Sequence, residues 1–176
     1  MTPAFAVWLT GLPASGKSAI AHSLLPLLQE RGIDCAVLES DVLRTLLTPR
    51  PRYDEAERDL FYAAMAHLGE FLVRHGLPVV FDATANRRAY RDAARRSIPR
   101  FAEVFVSCPL EVCQARDPKG LYRQAREGRA GTLPGAQASY EPPLQPDLVV
   151  RGDVASPADA ARDIVSLLER RGWLST

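Results

Sequence analysis

A chain of 176 residues, 47% hydrophobic and 24% charged, is long enough to bury one ordinary core. Its 22 Lys+Arg against 21 Asp+Glu leave a formal net charge of +1, which excludes the sustained positive field of a general nucleic-acid coat or a membrane-surface protein. Any anion site must therefore be local.

The first apolar run, Phe5 to Thr10, has no basic segment before it and leads straight into a glycine-rich loop, so a strand is expected there and neither a signal peptide nor a membrane span. The runs Cys35 to Glu39, Pro78 to Ala83, Ala102 to Cys108 and Asp147 to Val150 read as four further buried strands, short and rich in β-branched and aromatic residues. Helical patterns lie between them: Ser18 to Arg31 before Gly32, Glu55 to His75 before Gly76, Arg87 to Ser97 before Pro99, and Pro157 to Arg171 before Gly172. This alternation predicts one α/β domain over residues 1–176, a mostly parallel five-stranded sheet with helices on both faces. Asp117 to Pro146 breaks the rhythm with five prolines and four glycines, and reads as an irregular insert of the kind that forms lids.

Cys35, Cys108 and Cys113 are odd in number and lack CxxC spacing, which suggests buried thiols in a reducing cytosol. His22, His67 and His75 have no second ligand at a helical spacing, so a structural or exposed place is expected for each rather than a metal.

The segment Gly11-Leu-Pro-Ala-Ser-Gly-Lys-Ser18 fits G-x-x-x-x-G-K-[ST] at every fixed position and sits between a predicted strand and a predicted helix, the context the motif requires. Gly11 and Gly16 let backbone N–H groups converge on phosphate oxygens, Lys17 can reach the β and γ phosphates, and Ser18 can ligate magnesium. A nucleoside triphosphate, ATP with Mg2+, is the expected ligand, and a small-molecule kinase the expected class.

Past the second strand, Asp41 and Arg44 fall at the carboxyl edge, where parallel sheets bind ligands. Asp41 could take a proton from an acceptor hydroxyl or hold magnesium through water, and Arg44 could grip an anion; equally, Ser40 or Asp41 could cap the helix Val42 to Leu47. Asp82, at the end of the third strand with Thr84 beyond it, is either a magnesium-side carboxylate or the cap of the next turn. Phe61, Leu68 and Leu72 recur at helical spacing and suit a core.

The stretch Glu103 to Gly128, with its core Asp117-Pro-Lys-Gly-Leu-Tyr122, resembles the adenylylsulfate kinase family, and the resemblance continues through Tyr140 to Pro146 and the phosphate loop. It implies phosphorylation of the 3′-hydroxyl of adenosine 5′-phosphosulfate (APS) to give PAPS, and a homodimer; the cytoplasmic setting is the one that the cysteines suggest. It also implies that Lys119, Arg123 and Arg126 belong to a mobile lid over the phosphates. Catalysis is then expected from Lys17, Asp41 and Arg44, and nucleotide contacts from Gly11, Pro13, Ala14, Ser15, Gly16, Lys17, Ser18, Ala19, Arg116, Lys119 and Arg123. Acceptor contacts are expected from Asp41, Arg44, Tyr53, Arg58, Phe61, Thr84, Lys119 and Leu133, and metal contacts from Ser18, Asp41 and Asp82.

The acceptor side departs from the family's pattern. Its Asp-Gly-Asp-x-x-Arg is Glu39-Ser-Asp-Val-Leu-Arg44, its Phe-Ser-x-x-Asp-Arg is Tyr53-Asp-Glu-Ala-Glu-Arg58, and its Asn-Ile-Arg-Arg is Phe61-Tyr-Ala-Ala64. Its Phe-Thr-Gly-Ile-Asp is Leu133-Pro-Gly-Ala-Gln137, and its Ile-Ser-Pro after the third strand gives way to an Asp-x-Thr-x-Asn segment of the polynucleotide-kinase type, Asp82 to Asn86. Loss of polar partners in a hydrogen-bonding site changes substrate choice by orders of magnitude, so a kinase for another small alcohol stays as the alternative. A nucleotide-binding regulator without turnover is the third reading.

Overall fold

The computed structural model describes residues 4–129 and 131–174. Five parallel strands run in the order β2-β3-β1-β4-β5, namely β1 Ala6–Thr10, β2 Ala36–Glu39, β3 Val79–Asp82, β4 Phe101–Ser107 and β5 Leu148–Arg151. The all-parallel order explains why the strands read as nearly unbroken apolar runs, since helices cover both faces. Each lies within a residue or so of its predicted bounds.

The central strand divides the core. Phe5, Val7 and Leu9 point to one face, against α1 (Lys17–Gln29) and α7 (Pro157–Arg170), while Ala6 and Trp8 point to the other, against α3 (Glu55–Arg74) and α4 (Arg88–Ser97). Trp8 stacks on Phe81 with centroids 4.3 Å apart and donates its indole N–H to the Ala83 carbonyl at 3.0 Å, so the large ring leaves no unpaired polar atom. Gly69 lets α3 approach the sheet there, because a Cβ would stand 2.0 Å from the Phe81 ring. Asp54 caps α3 by accepting from the Glu57 N–H at 2.8 Å, a contact worth about 1 kcal/mol.

Three helices were hidden in the sequence or differently bounded. Helix α2 (Ser40–Leu47) takes Glu39 as its N-cap residue, and neither Ser40 nor Asp41 provides a side-chain cap, so the capping reading of those two residues is corrected. Helices α5 (Leu110–Arg116) and α6 (Leu121–Arg126) flank Pro118 and Gly120, and α6 lies inside the stretch expected to be irregular. The Asp117 carboxylate accepts from the backbone N–H groups of Tyr122 and Arg123 at 3.1 and 3.0 Å, supplying the cap that Gly120 lacks.

The far end of the insert is pinned to the sheet. The Arg91 guanidinium, fully buried, pairs with Glu103 at 2.6 Å and donates to the carbonyls of Ala85 and, at 2.7 Å, Glu141. The Asn86 side chain donates to the Ser139 carbonyl at 3.0 Å, and the Asn86 backbone carbonyl accepts from the Glu141 N–H at 2.7 Å. Tyr140 and Thr10 share a hydroxyl contact at 3.0 Å. These bonds tie residues 139–141 to β1, β4 and the exit of β3.

Candidate active site

The phosphate loop joins β1 to α1 at the carboxyl edge of the sheet. A Cβ on Gly11 would stand 2.5 Å from the Val106 carbonyl oxygen, so only glycine lets the loop leave β1 so close to β4. Gly16, in the left-handed region at φ 107°, is the N-cap residue of α1 and aims the first N–H groups of that helix at the loop. Pro13, Ala14, Gly16, Lys17, Ser18 and Ala19 line a cavity of about 570 Å3, whereas Ser15 is buried behind it.

Lys17 folds back over the loop and donates to the carbonyls of Gly11 and Leu12 at 3.1 and 2.9 Å. Burial pushes its ammonium below the usual lysine range, and Asp82 and Asp41 oppose that shift. A bound polyphosphate would raise it again. At any pH between the lowered value of Lys17 in the free site and its value beside phosphate, nucleotide binding is therefore expected to take up a proton. Calorimetry at one alkaline pH in buffers of different ionisation enthalpy measures this, and identical observed heats in every buffer would show no uptake.

Ser18 donates its hydroxyl to Asp82 Oδ2 at 2.5 Å, joining the first helix to the end of β3. Asp82 is thus the Ser18 partner and not the cap of a turn. The two oxygens lie beside the loop and are hard donors of the kind magnesium prefers, so this pair fits the ion. Among the described residues no group of three or more His, Cys, Asp or Glu could hold a metal unaided.

The other end of the cavity is lined by Asp41, Arg44, Tyr53, Arg58, Thr84 and Leu133. Asp41 bonds Lys119, which brings the insert across the mouth; that bond holds the Lys119 ammonium above its usual range. Arg58, the first residue of the buried stripe of α3, donates to the Thr132 carbonyl, and burial lowers its guanidinium from the ordinary arginine range. Tyr53 sits in the left-handed region at φ 56°; its carbonyl accepts from Thr132 Oγ1 at 2.7 Å and its ring packs on Gly131. Arg44 pairs with Glu57 at 3.4 Å and lies over the Phe61 ring, 4.0 Å from its centroid.

Four expected contacts do not line the cavity: Gly11 and Ser15 are buried in the phosphate loop behind it, and Phe61 and Arg123 lie elsewhere. Phe61 is 2% exposed and faces the core with Tyr62 and Met65, because the helical register of α3 turns it under Arg44. Arg123 projects from α6 into a separate, more open cleft with Arg126, while Arg116 and Lys119 border both spaces.

Three contributors escaped the sequence reading. Glu57 accepts from the backbone N–H groups of Arg52 and Tyr53 at 2.6 and 3.3 Å as well as from Arg44, and the Asp54-x-x-Glu57 capping pattern was its signal. Tyr62 lines the cavity, and its hydroxyl accepts from the Ala85 N–H at 3.2 Å. Gly152 packs under the phosphate loop, where a Cβ would stand 2.2 Å from the Ser15 carbonyl oxygen, and its own carbonyl accepts from Arg116 at 2.8 Å. A glycine just past the last strand was the only hint of it.

A parallel sheet with a phosphate loop after its central strand, a carboxylate bonded to the loop serine and a cationic insert across the cavity defines a phosphate-loop kinase of small molecules. The chain belongs to the adenylylsulphate kinase family, whose model matches residues 3–151. A Rippkaea orientalis protein named adenylyl-sulfate kinase is 38% identical over 169 residues, 96% of this chain and 93% of its own, and one from Gloeothece citriformis is 38% identical over 168 residues, 96% of each. The structure of the Mycobacterium tuberculosis APS kinase CysC in complex with AMPPNP and APS superposes with a TM-score of 0.89 at 34% identity, covering 96% of this chain and 99% of that one.

Proposed function

We propose that the protein transfers the γ-phosphoryl group of ATP to the 3′-hydroxyl of adenosine 5′-phosphosulfate, giving PAPS and ADP. The observation that carries this reading is one continuous cavity with the phosphate loop at one end and Asp41, Arg44 and Arg58 at the other, in a chain that matches its APS-kinase relatives over nearly their whole length. An anionic nucleoside placed between those ends would present a hydroxyl to the end of the triphosphate.

In the reaction the acceptor oxygen bonds to the γ-phosphorus as the bond to the β–γ bridging oxygen breaks, and the hydroxyl proton passes to the Asp41 carboxylate. Lys17 and the N–H groups of the loop bind the phosphates and balance their charge. Magnesium, held on the protein side by Ser18 and Asp82, would add charge neutralisation to the same phosphates. Arg44 and Arg58 hold the acceptor's anionic group, and Tyr53 and Leu133 flank its base. Arg116 and Lys119 reach the nucleotide from the insert, where Lys119 exchanges Asp41 for phosphate oxygens; Arg123 and Arg126 stay on its outer side. Within the insert 117–146, the part that precedes the anchored residues 139–141 acts as the lid, whose closure excludes the water that would otherwise hydrolyse ATP.

A cytoplasmic homodimer belongs to the same proposal. No helix among the described residues is long and apolar enough to cross a membrane. One observation favours a second reading: the family's acceptor-side asparagine is Phe61 here, and Phe61 does not line the cavity. That reading keeps the kinase and changes the acceptor.

The test is ADP release from Mg-ATP with and without APS, with the product identified by mass. Acceptor-dependent ADP release with PAPS formed is the expected result. ATP binding without PAPS would overturn the choice of acceptor and turn the search to other small alcohols.

A further inference from the structure

We propose that Phe61 and Glu57 form a clamp that sets the position of Arg44, making Phe61 a specificity-determining positioning residue for an anionic acceptor. The inference rests on the reading of Arg44 as an acceptor contact. Three observations support it independently of any ligand.

The Arg44 guanidinium lies over the face of Phe61 at 4.0 Å, with the rings of Tyr53 and Tyr62 at 5.2 and 5.9 Å. An aromatic face attracts a cation most where water is excluded, and the Arg44 and Glu57 side chains are only 11% and 9% exposed. The Glu57 carboxylate holds the same guanidinium at 3.4 Å and also accepts from the backbone of Arg52 and Tyr53. One carboxylate therefore fixes both the cation and the loop that carries the aromatic wall of the cavity.

Phe61 itself does not line the cavity and cannot hydrogen-bond an acceptor. An asparagine at this position, as in the family's pattern, could offer an amide to a ligand. The phenyl ring instead supplies a flat support under Arg44, and recognition is left to the two guanidinium groups that the family's pattern also has, Arg44 and Arg58. Such a site selects an acceptor by its sulfate or phosphate group.

The test compares wild type with Phe61→Leu, which removes the ring face with little change in volume, and Phe61→Tyr, which keeps it. Phe61→Leu is expected to raise KM for APS about tenfold, with KM for ATP unchanged and kcat within about twofold. Phe61→Tyr should stay within about twofold of wild type in every constant. NMR supplies a readout that needs no substrate: the Arg44 side-chain protons should be shifted upfield by the Phe61 ring in wild type and Phe61→Tyr, and return toward ordinary positions in Phe61→Leu. Wild-type KM for APS in Phe61→Leu, or no upfield shift in wild type, would overturn the clamp. If wild type makes no PAPS, the reading of the function fails, and the NMR shift alone decides the clamp.

Discussion

Lys17→Ala is expected to lower turnover by about a thousandfold while leaving the fold intact. In phosphoryl transfer the protein contributes chiefly position and charge, and Lys17 is the ammonium that the phosphate loop keeps at its centre, with bonds to the carbonyls of Gly11 and Leu12. Its truncation removes a cation from a buried site where little water could replace it. Initial rates of ADP release, with a melting curve to confirm folding, make the measurement; near-wild-type turnover would sink the assignment of the loop. The core residues behind it, Ile20, Leu24 and Leu28, are untouched by the change, so loss of activity with a normal melt isolates the charge.

Arg58→Ala is expected to raise KM for the acceptor by about a hundredfold and to leave KM for ATP nearly unchanged. Arg58 is 8% exposed, so an anion bound to it would lose its counter-charge in a site from which water is largely excluded. It also holds the Thr132 carbonyl, which places it under the insert. Arg58→Lys keeps the charge without the planar fork and should fall between the two. Initial rates at varied acceptor and fixed ATP separate these outcomes, and an effect confined to ATP would contradict the role.

The phosphate loop was legible because its geometry is local: glycine, lysine and serine must recur at fixed offsets within one turn. The strands were legible for a related reason, since full burial on both faces leaves little choice of residue. Helix α6 was not, because Pro118 and Gly120 are ordinary loop residues and the Asp117 carboxylate that compensates for them acts only once the chain has bent back. Phe61 carried two readings, core and acceptor contact, and the first holds. Arg58, Phe61, Tyr62, Met65 and Ala66 form one buried stripe of α3, and the register of that stripe decides that Arg58 reaches the cavity while Phe61 does not. Arg123 illustrates the converse: a cation in a matching motif still projects to whichever side its short helix presents. The bond between Ser18 and Asp82 joins residues 64 positions apart, and only the pairing of β1 with β3 reveals it.

The contact of Gly152 with the Ser15 carbonyl carries a consequence for how the protein is made. The loop that grips phosphate leaves the ribosome long before the residue that supports it from below. Until β5 has joined β4, that support is missing. Nucleotide capture by a nascent chain should therefore begin late and abruptly, once residue 152 has emerged, and ATP would then stabilise only chains whose sheet is complete.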